Sequence, residues 1–548
     1  MNRSGKSKWC AGALVLGWLL TMAGATEAWG QESKSERPNI LFCFADDWGR
    51  YASVYAQLEP QAWFAPVLRT PHIDALARGG VVFRHAFVPS PSCTPCRSSL
   101  LTGRYFFQTG RGAILQGAVW DESLPAMPLL LRQAGYALGK TGKVWGPGTP
   151  LDAPIGGQQY AFQQAGMAFQ NFSVQVMRAL EGGATVEQAK ERLLRQVDEN
   201  FASFLQKRSP QQPFFYWFGP TNTHRLWARG SGKKLWGIDP DQLKGRLPPF
   251  LPDVPEVRED LADYLGEVQA LDAMIGVLVR RLKQAGEAER TVIVLSGDHG
   301  IPGFPRGKCT LYDFGTAVAL IVAGPGIPGG RVVDDMVSLM DLAPTFLELG
   351  GVQPPKGTMG RSLLPLLRSP ASGQIDPTRR YVILGRERHV AEARAGNLPY
   401  PHRALRTHDW LYIRNYAPDR WPMGDPKAAD QDPLPSWEQL TTNHLVAFAD
   451  MDAGPTKAWL IQHGRQLQWQ QYYHLAFGKR PAEELYDLRN DPHQMRNLAA
   501  DPQYTAQRQE LAGQLERLLR EAGDPRLVDK ECRYEQPPFT APAPVKKK

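Results

Sequence analysis

The segment Asn39-Ile-Leu-Phe-Cys-Phe44 is a short apolar run with no polar alternation, the pattern of a strand buried on both faces of a mostly parallel sheet. It ends in Ala45-Asp46-Asp47-Trp48-Gly49. A second run, Thr291-Val-Ile-Val-Leu-Ser296, ends in Gly297-Asp298-His299-Gly300, and further runs occupy Phe214–Phe218 and Val318–Val322. Helical stripes lie between them. Val186, Ala189, Leu193, Val197, Phe201 and Leu205 recur at three- and four-residue intervals, as do Leu265, Val268, Leu271, Ile275, Leu278 and Leu282. Strands alternating with helices predict a layered α/β fold. From about residue 370 the texture changes to Pro, Asp, Arg, Trp and Tyr with few long apolar runs, and one amphipathic helix closes the chain over roughly Thr505–Ala522. The division expected is a catalytic domain over 37–370, a smaller α+β domain over 371–540 and a basic tail at 541–548.

Composition changes this picture little. The 548 residues are 43% hydrophobic and 22% charged, which excludes a mostly disordered or multi-span membrane chain. The formal charge of +8 falls to +6 without residues 1–30, and to +3 without Lys546–Lys548. A body so near neutral does not call for nucleic acid. Residues 1–30 read as a cleaved export signal. Arg3, Lys6 and Lys8 precede an apolar stretch from Ala11 to Met22, and small residues at Ala23–Ala25 or Ala28–Gly30 offer cleavage sites. The stretch is shorter than the ~20 residues a membrane span needs, so a secreted or periplasmic protein is expected. Beyond it stand Cys43, Cys93, Cys96, Cys309 and Cys532, an odd set that implies an unpaired or chemically altered thiol.

Acidic pairs at the ends of buried strands carry the first chemical signal, because open α/β sheets bind ligands at the carboxyl ends of their strands. Asp46 and Asp47 end one strand, Asp298 and His299 another. Carboxylates converging there would repel one another unless neutralised, and a divalent cation is the simplest neutraliser.

The segment Cys93-Thr-Pro-Cys-Arg-Ser-Ser-Leu-Leu-Thr-Gly-Arg104 is more specific. With Thr70-Pro-His-Ile-Asp74, Gly139-Lys-Thr-Gly-Lys143, Thr223-His-Arg225, Gly307-Lys308, Leu311-Tyr312, Met340–Thr345 and Glu484–Leu488 in the same order, the chain resembles the type I sulfatases across roughly residues 38–500. Within them it looks most like the heparan N-sulfatase branch, on Gly300-Ile-Pro, Phe304-Pro, Leu251-Pro-Asp253 and Tyr400-Pro401 with Arg403. The resemblance implies an alkaline-phosphatase-like α/β/α sandwich with a large mixed sheet. It also implies a sulfated carbohydrate substrate, with N-sulfoglucosamine the leading choice, and a maturation enzyme that oxidises Cys93 to Cα-formylglycine during export.

In that reading one hydroxyl of the aldehyde hydrate takes the sulfuryl group, and loss of the other's proton expels sulfate and restores the aldehyde. One divalent cation, Ca²⁺ in most members, is held by Asp46, Asp47, Asp298 and His299 together with residue 93. Arg97 steadies the hydrate, Lys143 and Lys308 bind sulfate, and His224 is the candidate general acid. Two departures stand out. Val144-Trp145 follows Lys143 where the family has an aromatic and then His, and position 308 is Lys where mammalian sulfamidases carry Arg, so sulfate is held without a planar fork. Three other readings remain at this stage: a carbohydrate or aryl O-sulfatase, a phosphonate or phosphate monoester hydrolase of the same fold, and an exported polyanion-binding protein with a degenerate site.

Overall fold

The computed structural model describes residues 37–59 and 62–542. The export signal read over residues 1–30 and residues 543–548 of the basic tail read over 541–548 lie outside the described residues. From Arg37 the chain forms one compact unit.

Its centre is a seven-stranded sheet in the order Ala137–Gly142, Phe214–Gly219, Asn39–Ala45, Thr291–Gly297, Leu320–Ala323, Gly80–Phe83, Arg331–Val333. Leu320–Ala323 runs antiparallel to both neighbours, whereas the other pairings are parallel, so the sheet is mixed. The two-residue alternation of a strand then splits each apolar run between two cores. Leu41 and Cys43, Tyr216 and Phe218, and Ile293 and Leu295 enter one, under the helices Pro71–Arg78, Val186–Lys207 and Pro255–Gln284. Ile40, Phe42 and Phe44, Phe215 and Trp217, and Val292 and Val294 enter the other, under Cys93–Thr102, Met127–Gln133 and Leu342–Leu349. Helices on both faces of a mixed sheet give the α/β/α sandwich that the resemblance implies, and the layered α/β fold that the runs predict.

A second, antiparallel sheet orders Tyr381–Arg386, His402–Thr407, Trp410–Asn415 and Glu483–Asp487. On one face Ile383, Leu405 and Leu485 meet Leu511, Leu515 and Leu519 of the closing helix Thr505–Glu521. On the other, Val382, Leu384, Leu411 and Tyr486 pack on Phe87, Leu311 and Tyr312. Two of the sequence motifs meet there: Tyr312 donates from its hydroxyl to Glu484 Oε2 at 2.6 Å. No helix among the described residues is long and apolar enough to cross a membrane.

The helix Pro255–Gln284 does more than fill a core. Its apolar stripe from Leu265 to Leu282 faces the sheet, while its carboxylates reach the free backbone N–H groups that begin four other helices. Asp272 Oδ1 accepts from the nitrogens of His72 and Ile73 (3.0 and 2.8 Å), and Glu267 Oε1 from that of Ser173 (3.0 Å). Asp263 accepts from Gly230 and Gly232 (2.9 and 2.7 Å), and Asp260 Oδ2 from Thr456 (3.1 Å). These acids are buried, and burial pushes Glu267 up from 4.5 to about 7 against the hydrogen bonds from Ser173 and Asn222.

A carboxyl group whose folded pKa is raised gives its full contribution to stability below its unfolded value and loses it as pH rises through the folded value. Glu267→Gln removes that titration. Relative to the variant, the wild type is expected to lose about 3 kcal/mol of unfolding free energy between pH 4.5 and 8. Denaturant unfolding across that range measures the difference, and curves that stay parallel would contradict it.

Candidate active site

The parallel register sets Ala45 beside Gly297, so the two acidic pairs leave adjacent strand ends together. Gly297 is required there, since a Cβ would stand 2.0 Å from the Trp48 carbonyl oxygen. Asp47 turns the chain with φ +59°, and its N–H donates to Asp298 Oδ1 at 2.8 Å. Asp46, Asp47, Asp298 and His299 are all buried.

Cys93 opens the helix Cys93–Thr102, at its electropositive end. Its Sγ lies 3.3 Å from His299 Nε2 and 3.9 Å from Asp47 Oδ1. Arg97, one turn on, is fully buried: Nε donates to Asp298 Oδ2 (2.9 Å), Nη2 to Asp46 Oδ1 (3.0 Å) and Nη1 to the Lys143 and Val144 carbonyls (3.2 Å each). The resemblance assigns Arg97 to the aldehyde hydrate, yet every nitrogen of the side chain holds a carboxylate or carbonyl around Cys93. The motif's tail is a helix stop: Gly103 takes φ +67° and donates to the Ser99 carbonyl at 2.8 Å.

Two lysines flank the carboxylates. Lys143 Nζ bonds both oxygens of Asp46 (2.6 and 2.8 Å), and Lys308 Nζ reaches Asp47 Oδ2 at 3.0 Å. Burial pulls Asp46 upward, but Lys143 and Arg97 together carry it well below the usual carboxylate range. Asp47 is pushed up by burial, with Lys308 its nearest permanent cation. Burial, and then Asp46, push the Cys93 thiol up from the usual range. His224 Nδ1 lies 2.6 Å from the Arg225 carbonyl, so that nitrogen carries the proton and Nε2 faces Asp47 Oδ2 at 3.9 Å. In the same way His299 Nδ1 donates to the Gly300 carbonyl (3.1 Å) and leaves Nε2 a lone pair toward Cys93.

The residues fit a divalent cation. Ligand atoms of Asp47, Cys93 and His299 lie within 4.8 Å of one another, as do those of Asp46, Cys93 and Asp298, and those of Asp46, Asp47 and His224. Three carboxylates supply oxygen donors, which favours a hard ion, and each of the two imidazoles, His299 and His224, has its Nδ1 fixed on a backbone carbonyl.

All nine residues singled out in the sequence therefore converge. Trp145, at the family's His position, does not join them. Its ring packs against Trp120 (5.6 Å between centroids) and its Nε1 donates to Ser98 Oγ at 2.9 Å. Cys96 is buried in the core beneath the sheet, and Cys309 ties its loop to Pro91 through a 2.9 Å backbone bond. Arg403, one of the residues carrying the branch resemblance, is scaffold, paired with Glu387 (2.8 Å) and Asp524 (2.6 Å). The five described cysteines are all free thiols. Two neighbours of the site escaped the sequence reading. Asp452 lies 3.4 Å from Lys308 Nζ, and His389 Nδ1 lies 2.8 Å from the hydroxyl of Ser92. Neither stands in a motif, and the only hint of the first was the acidic repeat Asp450-Met-Asp452 in a loop.

Comparison with known proteins gives the family. A family model described as Sulfatase matches residues 38–352, and one described as N-sulphoglucosamine sulphohydrolase, C-terminal, matches residues 298–442. The chain is 30% identical over 524 residues to the N-sulphoglucosamine sulphohydrolase of Homo sapiens, covering 89% of this chain and 91% of that one. To an ulvan-active sulfatase of Formosa agariphila it is 25% identical over 537 residues, covering 89% and 76%. A solved structure in complex with D-glucosamine-2-N,6-O-disulfate shares the fold with a TM-score of 0.57 at 18% identity, over 90% of this chain and all of that one. A phosphonate monoester hydrolase from Silicibacter pomeroyi does so with a TM-score of 0.58 at 19% identity, over 89% and 96%.

Asp298→Asn keeps a polar side chain at the strand end but removes one of the three carboxylates placed to hold a cation. Cation affinity, read by titration calorimetry on folded protein, and turnover are expected to fall together by about 10- to 100-fold, and the thermal transition of the metal-free protein falls too, because Arg97 loses a buried carboxylate partner. Unchanged cation affinity would remove Asp298 from the site.

Proposed function

The chain belongs to the sulfatase family of sulfate ester and sulfamate hydrolases, and on that premise we propose that it removes the N-sulfate of a glucosamine unit in a heparan-type glycan. The reading includes export, oxidation of Cys93 to formylglycine by a maturation enzyme, and one divalent cation, Ca²⁺ by the oxygen-rich donor set. A single observation carries it. The side chain of residue 93 stands at the junction of two metal-ligand groups, with a lysine bound to the carboxylates on either side.

When bound, the cation supplies Lewis acidity toward a sulfuryl oxygen and lowers the pKa of a hydroxyl on residue 93. The chain's own groups do the rest. Asp46, Asp47, Asp298 and His299 hold the ion, and Arg97 locks two of those carboxylates in place from below. Lys143 on Asp46 and Lys308 on Asp47 set fixed positive charge for the charge that develops on a sulfuryl group, in a largely buried floor. As an imidazolium, with Nδ1–H held on the Arg225 carbonyl, His224 presents Nε2–H at the opening and gives that proton to the leaving nitrogen, which needs it before it can depart. A lysine at 308 gives a point charge there instead of the forked contact an arginine would make. A cavity of about 410 Å³ adjoins Lys143, walled by Met167, Gln163 and Gln170, and offers room for a saccharide.

A desulfation screen tests this reading. N-sulfoglucosamine at a non-reducing end should be hydrolysed at least ~10-fold faster than 6-O-sulfated N-acetylglucosamine, and aryl sulfate faster than aryl phosphate. Preference for the O-sulfate would overturn the sulfamate assignment, and preference for the phosphate would favour the phosphonate and phosphate hydrolases that share this fold.

A further inference from the structure

The opening of the site is framed by three side chains that keep some exposure: His224 at 34%, Lys143 at 19% and Asp452 at 20%. Two of the three suit an anionic group. Asp452 does not, because a carboxylate repels the sulfate the rest of the site attracts.

Its surroundings make this misfit acute. The loop that carries Asp452 is fixed from beneath by the buried Lys457, whose ammonium donates to the carbonyls of Phe448 (3.2 Å), Met451 (2.7 Å) and His444 (3.3 Å). Asp450, two residues earlier, is fully engaged by Arg394 (2.8 Å) and the Val390 nitrogen (2.9 Å). Asp452, by contrast, accepts no hydrogen bond among the described residues. Its Oδ2 is buried without a donor, and the 3.4 Å ion pair is with a Lys308 already 3.0 Å from Asp47. Burial would raise its pKa, but the ammonium of Lys308 beside it carries it far below the usual carboxylate range, so it stays charged. Beside it His389, held by Ser92 and kept neutral chiefly by burial, adds a ring with no fixed charge.

A rigid anion with idle acceptor lone pairs at the mouth of a site is matched by hydrogen-bond donors that are not anionic. We propose that Asp452 is a specificity-determining residue that accepts hydrogen bonds from the hydroxyl and amine groups of the sugar bearing the sulfate. It thereby makes the site select an amino sugar over an arbitrary sulfate ester. The inference rests on the reading under Proposed function and deepens it. With Oδ2 buried against Lys308, Oδ1 is the oxygen left to accept from a donor on the sugar ring, and the carboxylate attracts the ammonium left when a sulfamate is cleaved.

Titration calorimetry with glucosamine and with inorganic sulfate, each alone, separates this role from a merely structural one. Asp452→Asn should weaken glucosamine binding about tenfold or more and leave sulfate binding unchanged or tighter, since a repelling charge has gone. Weaker sulfate binding with glucosamine affinity retained would mean that Asp452 only holds Lys308, and would overturn the inference, as would equal affinities for both probes. If Asp452→Asn does not fold, Asp452→Glu keeps the charge but displaces it, and should show the same selective loss. A wild type that hydrolyses N-sulfoglucosamine but binds no glucosamine contradicts this inference alone. A wild type that hydrolyses no N-sulfoglucosamine contradicts the reading beneath it.

Discussion

Three buried carboxylates at the ends of two adjacent parallel strands cannot stay charged without nearby cations, and the architecture around them is an answer to that requirement. Asp46, Asp47 and Asp298 are met by Arg97, Lys143 and Lys308, three fixed positive charges from three separate segments. The balance is near neutral before any metal enters. A divalent ion added to it turns the floor net positive, the condition for drawing in a sulfate. Burial of the cluster strengthens each of these interactions, and it also makes removal of any one partner costly.

The same requirement explains which chain segments must be held rigidly. Arg97 serves the carboxylates from the first turns of the helix that Cys93 begins, so helix and strand ends are fixed as one body. Lys308 sits on a loop bound to the second sheet through Tyr312 and Glu484, which ties the C-terminal part of the chain to the carboxylate cluster. The helix Pro255–Gln284 steadies the wall behind His224: Glu267 accepts from Asn222 at 2.9 Å, while Asp260 pairs with Arg225 at 2.8 Å.

Much of this was legible in the sequence, for physical reasons. Continuous apolar runs announce strands buried on both faces, and acids directly after two such runs announce a ligand at the strand ends. Each of the nine site residues follows from those runs or from the Cys93 motif and its companions. Other features were hidden because their partners lie far away along the chain. Asp260, Asp263, Glu267 and Asp272 look in sequence like the solvated face of an amphipathic helix, yet they are buried caps on other helices. Asp452 sits in an irregular loop without periodicity, and nothing local shows that Lys308 awaits it. Trp145 reads as a loss of chemistry beside Lys143, whereas its indole is committed to Ser98 and Trp120.

The central claim is that this carboxylate cluster exists to hold a divalent cation against residue 93. Anomalous diffraction from crystals of protein purified without chelator, paired with elemental analysis of the same preparation, tests it most directly. One divalent ion per chain, bonded to Asp46, Asp47, Asp298 and His299 and within reach of residue 93, is the result expected. Fully active protein without a divalent ion, its carboxylates still paired only with Arg97, Lys143 and Lys308, would contradict the account.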